Sequence, residues 1–220
     1  MNRTKFLKIA VLCVVSAIGN ILGSLLHTKT GLPLYIDTIF NAAICFGAGL
    51  VPALFTATLV YPVMDFLVNR YIRILPVELG FFANIWVICM IVEILLVWLF
   101  YKRMKKSEAV FLEDTCLNTF SGVAVLLLVL AVIDCIVISV TGGIIDYALT
   151  VSSMPRSFSP EDYFKLGLQR NNVPLLATVI LSRIPINIID RFIVIFGGYG
   201  ISLLYRKWIY GKVYNEALKQ

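Results

Sequence analysis

Apolar positions run in long blocks, and the polar positions that interrupt them are few enough to be read one by one. Blocks of about 20 residues are what a helix needs to cross a hydrocarbon core. They are read here near 6–26, 36–50, 51–69, 79–101, 117–141 and 184–205. The second and third are short and abut at Gly49-Leu50-Val51-Pro52, which predicts a tight helical hairpin. The last block holds Arg183, Asn187, Asp190 and Arg191. Their i, i+4, i+7, i+8 spacing puts all four on one helical face. A charge at mid-bilayer costs roughly 2.5–3.5 kcal/mol on insertion scales, so that face is expected to look onto protein or a wet cavity.

Composition agrees with the pattern. The chain is 60% hydrophobic and 15% charged, with a mean hydropathy of +0.90. A soluble domain of 220 residues would leave too much apolar surface in water. The expected class is an all-α integral membrane protein, one domain of six transmembrane helices in a compact bundle. The first block follows Arg3, Lys5 and Lys8 but is not followed by a small-x-small cleavage site, so it reads as a retained helix. The net charge of +6 calls for no nucleic acid, because Lys and Arg sit mostly at helix ends.

Those charges set an expected orientation. With the N-terminus inside, the inner segments carry Arg3, Lys5 and Lys8, the 102–106 cluster, and Arg206, Lys207, Lys212 and Lys219. The outer segments carry Lys29, Arg70, Arg73, Arg156, Lys165 and Arg170. The excess on the first side predicts both termini in the cytoplasm. The five cysteines are widely spaced in or beside apolar blocks and read as packing residues rather than metal ligands or disulfides. His27 is the only histidine, which argues against a histidine-based metal centre or a Ser-His-Asp arrangement. No cofactor is implied.

This topology assigns a depth to each polar side chain. Asp37, Asn41, Asp65, Asn69, Asn84, Asp134, Arg183 and Asn187 fall toward the outer leaflet, and Glu93 lies nearer the inside. Glu93 is expected to pair with Arg191 deeper in the bundle, leaving Arg183 and Asp190 nearer a binding site. The substrate-binding candidates are Asn187, Asp190, Arg183, Asp37, Asn41, Asp65, Asn84, Asp134 and Tyr147. Two outer segments stand over this region, 27–35 and a long loop over 142–172 that holds Tyr147, Met154, Phe158, Tyr163 and Phe164. Each aromatic also reads as an interfacial anchor. Within the loop, Ser159-Pro160-Glu161-Asp162 predicts a helix start. Gly19-x-x-x-Gly23 and Ala53-x-x-x-Ala57 are small-x-x-x-small patterns that serve either packing within the bundle or docking of a membrane partner.

The run Gly31-Leu-Pro-Leu-Tyr-Ile-Asp37-Thr38-Ile39 and the small-residue hairpin after it resemble the second and third helices of energy-coupling factor (ECF) transporter S components. Ile184-Pro185-Ile-Asn187-Ile-Ile-Asp190-Arg191, followed by Tyr205-Arg206-Lys207, resembles their sixth helix. The resemblance extends over nearly the whole chain. It implies a multi-pass protein of the bacterial cytoplasmic membrane that captures a vitamin-like small molecule from outside. It also implies partners, namely a membrane coupling subunit and two cytoplasmic ATPases. The riboflavin-type members carry Pro-x-Asn-x-x-Lys here, with Asn and Lys on the ligand. Pro185 and Asn187 match, whereas Asp190 replaces the Lys, which implies a ligand with a donor or cationic group. The chain has no G-x-x-x-x-G-K-[ST] loop, and Gly197-Gly198-x-Gly200 lies in an apolar block. Two other classes stand beside this reading. A membrane-embedded enzyme acting on a lipid would use Asp65, Asp134 and Glu93 as acid and base, and a stand-alone membrane sensor would use the same fold.

Overall fold

The computed structural model describes residues 3–30, 38–67, 84–111, 116–152 and 161–211, and every regular element among them is helical. The order is α1 (Arg3–Thr30), α2 (Ile39–Ala48), α3 (Leu50–Leu67), a single 3₁₀ turn (Asn84–Trp86) leading into α4 (Val87–Phe111), then α5 (Cys116–Val151), α6 (Glu161–Arg170), α7 (Leu175–Leu181) and α8 (Ile184–Tyr210). Two of these are long and apolar enough to cross a membrane, over Arg3–Leu26 and Gly122–Val151.

The α2–α3 hairpin turns on Gly49. Its φ of 100° is a left-handed backbone that side-chain-bearing residues adopt at a cost. Its N–H caps α2 by donating to the Ile44 and Cys45 carbonyls. Pro52 sits in the first turn of α3, where its missing N–H leaves no helical bond unmade. α2 is only ten residues long, and Asn41 through Gly47 are buried without a break, so it lies in the middle of the bundle rather than on its rim. Its neighbours are α1, α3, α4 and α8. The α2–α8 approach is close because Gly198 lacks a side chain. A Cβ there would come within 2.8 Å of the Ala42 Cβ and 3.1 Å of the Ile39 carbonyl oxygen. Phe46 anchors the core next to this seam, edge-on to both Tyr101 and Tyr199.

The predicted loop over 142–172 is largely helical. α5 runs on to Val151, and α6 occupies 161–170. Gly142-Gly143 stands where that loop was expected to begin, but the pair serves packing and not chain reversal. A Cβ on Gly143 would fall 2.5 Å from Ile180 Cγ1 and 3.0 Å from its Cα, so the glycine lets α7 lie directly on α5. α4 likewise continues past 101 to Phe111, through a Lys-, Arg-, Met- and Glu-rich stretch with good helix propensity.

α7 and α8 form one broken helix. Ser182 and Arg183 donate to the Thr178 and Ile180 carbonyls, and Asn187 N–H then bonds to the Arg183 carbonyl. The break precedes Pro185, which cannot donate to a continuing helix but fits the first turn of a new one.

Polar and apolar residues are distributed inside out. Leu7, Leu22, Val51, Val125 and Leu204 are among many large apolar side chains left exposed, while Glu93, Asp134, Asp190 and Arg191 are buried. In water such an apolar surface would be unstable, so the bundle suits an apolar solvent.

Candidate buried ionic site

The polar stripe read from sequence is the start of a longer feature. On α8 the buried residues include Asn187, Asp190 and Arg191 near its start and Ser202, Tyr205 and Arg206 toward its end, with Val194, Ile195 and Gly198 between them. Asn187, Arg191, Tyr205 and Arg206 each reach a different helix, whereas Asp190 pairs with Arg191 and Ser202 bonds to the Tyr199 carbonyl within α8.

At the centre stands Arg191, 3% exposed. Its guanidinium contacts Glu93 of α4 through one terminal nitrogen and Asp190 through the other, and its Nε donates to Asp190 Oδ2 at 3.1 Å. Asp134 of α5 is the third acid, with Oδ2 3.8 Å from the same guanidinium. Neither oxygen of Asp134 has a hydrogen-bond partner, nor does Glu93 Oε1 or Asp190 Oδ1. One cation therefore serves three buried carboxyl groups. The Glu93–Arg191 contact coincides with the pairing expected from sequence. Asp190, expected with Arg183 nearer a binding site and apart from the Glu93–Arg191 pair, belongs to the Arg191 cluster, because adjacent residues 190 and 191 bring carboxylate and guanidinium to the same buried face.

Toward the start of α8, Asn187 donates to Ser139 Oγ of α5 at 2.9 Å and is 4% exposed. One turn earlier Arg183 joins a second ionic group. It lies 3.5 Å from Asp146 and 3.2 Å from Glu161, and its guanidinium stacks 4.9 Å above the Trp86 ring. Lys165 of α6 bridges Asp146 and Asp162, at 2.5 and 2.9 Å. This group ties α6 to α5 and α8. Asp146, Glu161, Asp162 and Lys165 were not among the sequence candidates as site residues. The pattern at 161–165 signalled a helix start, but the burial of its charges follows only from docking.

On the α2 side, Asn41 Oδ1 accepts from Asn20 Nδ2 at 2.8 Å and Asn41 Nδ2 reaches Met90 Sδ at 3.5 Å. Asn20 Oδ1 in turn accepts the Phe40 N–H at 3.1 Å, so α1, α2 and α4 are cross-linked. At the far end of α8, Arg206 donates to the Phe46 carbonyl at 3.2 Å and lies over the Tyr101 and Tyr199 rings, and Ser16 meets the Tyr205 hydroxyl at 3.0 Å.

The remaining candidates separate from this axis. Tyr147 is on α5, not in a loop, and is 36% exposed. Asp37 lies outside the described residues, as do Asn69, the 31–35 stretch, Met154, Phe158, Ser159 and Pro160; so do the side chains of Asp65 and Asn84. The small-residue patterns are packing surfaces. Ala53 and Ala57 are fully buried, Gly23 is half-buried, and a Cβ on Gly19 would strike the Phe40 ring at 2.6 Å. Ala53, Ala57 and the Gly19 approach to Phe40 are thus packed against the chain's own helices, the first of the two uses read from sequence.

Among the described residues no group of three or more His, Cys, Asp or Glu could hold a metal ion. Cys13, Cys45, Cys89 and Cys135 are free thiols, with Cys13 and Cys45 directed at backbone carbonyls of Pro52 and Ile94. Comparison with protein-family models, with curated proteins and with solved structures finds no match.

Proposed function

We propose that this chain is a multi-pass membrane protein that captures a small organic solute inside its helical bundle, as the S component of an ECF-type importer does. In this reading the six predicted spans cross the cell membrane with both termini in the cytoplasm. The solute enters from outside, and a membrane coupling subunit with two ATPases supplies the energy. The observation that carries the proposal is the Arg191 cluster: four carboxylate oxygens stand buried and unpaired in the interior of a bundle whose exterior is apolar. Intramembrane ionisable groups are costly and mark substrate and ion pathways, proton relays and ligand counter-ions.

Two further features support it. Lys5 over Tyr210, Lys8 over Trp208 and Lys102 over Trp98 give one end of the bundle a basic and aromatic rim, as at a cytoplasmic membrane face. Lys8 also donates to the Trp208 carbonyl at 2.9 Å, which joins the beginning of α1 to the end of α8 at that rim. The opposite end carries the second ionic group and α6, the elements that would cover an outward-facing site.

The test is purification in mild detergent from cells grown in rich medium, with mass spectrometry of what is extracted. A single retained solute and co-purifying ATPase subunits are expected. A protein that carries no small molecule and never associates with a coupling module would end this reading.

A further inference from the structure

Charge and hydrogen-bonding capacity do not match in the Arg191 cluster. Glu93, Asp134 and Asp190 share one guanidinium, so two negative charges are in excess when all four groups are ionised. All four side chains are 3% exposed or less. Each of the three Arg191 nitrogens donates one hydrogen bond to Glu93 or Asp190, and none donates to Asp134. Asp134 is left with a cation at 3.8 Å, beyond hydrogen-bond distance, and with neither oxygen accepting a bond. An unpaired carboxylate away from water costs several kcal/mol, so the excess charge calls for neutralisation, by a proton or by a positive group from outside the chain.

The form of that group is constrained. A metal ion would need its oxygens together at about 2.0–2.6 Å from one point, and no such group of acids exists among the described residues. A protonated amine donates at about 2.7–3.2 Å through several N–H bonds in different directions, so it can satisfy carboxylates that lie too far apart for one metal.

We infer that the Glu93–Asp134–Asp190 site binds the positively charged nitrogen of a small organic solute, an ammonium or similar N–H-bearing cation. Asp134 is its ion-pair partner, and Glu93 Oε1 and Asp190 Oδ1 are further acceptors. This rests on the solute-capture reading above and names the chemical class of the solute. Arg191 then holds two of the three acids in place and leaves the third for the ligand.

The experiment uses the full chain in detergent, with methylammonium chloride as the probe. Sodium chloride at equal ionic strength and uncharged methanol are the comparisons. Thermal unfolding and equilibrium binding of radiolabelled methylammonium are both read. The expected result is a saturable rise in midpoint with methylammonium alone, at one probe per chain. Asp134→Asn removes surplus negative charge, so it is expected to fold at least as well as the parent chain, yet to bind the probe at least about tenfold more weakly. Asp134→Glu, which keeps the charge, should restore part of the binding.

An equal response to sodium, or an unchanged response in Asp134→Asn, overturns the inference. So does stabilisation by acid with no methylammonium effect, which would mean that protons alone fill the site. Mass spectrometry separates this failure from that of the broader reading. A retained neutral or anionic solute without methylammonium binding would sink the cation assignment and leave solute capture standing, whereas an empty protein that binds nothing would sink both.

Discussion

Arg191 is the residue on which the most neighbours depend. Removing it leaves three buried acids with no cation, and breaking a buried pair from one side typically costs about 3–5 kcal/mol. Arg191→Gln is therefore expected to lower the thermal midpoint sharply. Adding Glu93→Gln to it should recover much of the loss, since the double variant has one fewer stranded charge. A double variant no more stable than Arg191→Gln would show that Glu93 is not its partner. Asn187 is a milder case. It donates to Ser139 within the bundle, so Asn187→Ala should cost about 1 kcal/mol of stability. The same variant tests its expected ligand contact. A fall in solute binding well beyond that stability effect would mark direct contact, and normal binding would make it an interhelical bond only.

The elements owe their arrangement to where side chains are missing. At Gly143 a side chain would meet the backbone of Ile180, and that contact cannot yield as a side-chain tip can. Gly143→Leu is expected to displace α7 from α5 and to cost at least about 1–3 kcal/mol. Limited proteolysis near Asn171-Asn172 would report the loosening. Gly49 acts through its dihedral angles instead. Nothing lies within 4 Å of a Cβ there, so Gly49→Ala should destabilise by roughly 1–2 kcal/mol through strain alone. If its thermal midpoint matches that of the parent chain, the hairpin tolerates the left-handed turn without glycine. α6 is held by ions, not by an apolar face. High salt should leave its network largely intact, because buried pairs are poorly screened.

For the molecule as a whole, the sign of charge is separated by depth. The chain carries a formal +6, yet the Arg191 group is acid-rich and the basic residues Lys5, Lys8 and Lys102 stand at one end. Such a body would draw cations inward while its basic rim holds to an anionic leaflet. The proposed orientation is checked by single cysteines on a cysteine-free background. Arg103→Cys should resist a membrane-impermeant maleimide in intact cells, and Arg170→Cys should react. The reverse pattern would invert the topology.

Sequence alone determined that the chain is helical and apolar and that residues 183–191 present one polar face, because both follow from local periodicity and composition. It also marked the hairpin at Gly49, since a glycine between two apolar blocks is a local signal. Tertiary structure decided what the polar residues meet. Asp190 reads from sequence as an acid near a binding site, and only the packing of α4, α5 and α8 brings Glu93 and Asp134 to the Asp190–Arg191 pair. The stretch from 142 reads as a loop, and only the approach of α7 makes Gly143 a packing contact. The small-residue patterns read as packing or docking surfaces, and only the tertiary structure shows Gly19 against Phe40 of α2. Each of these turns on which helix faces which, a property of long-range packing that no spacing within one helix contains. The unequal count of one guanidinium to three carboxyl groups came into view in the same way, once helices far apart in the chain had met.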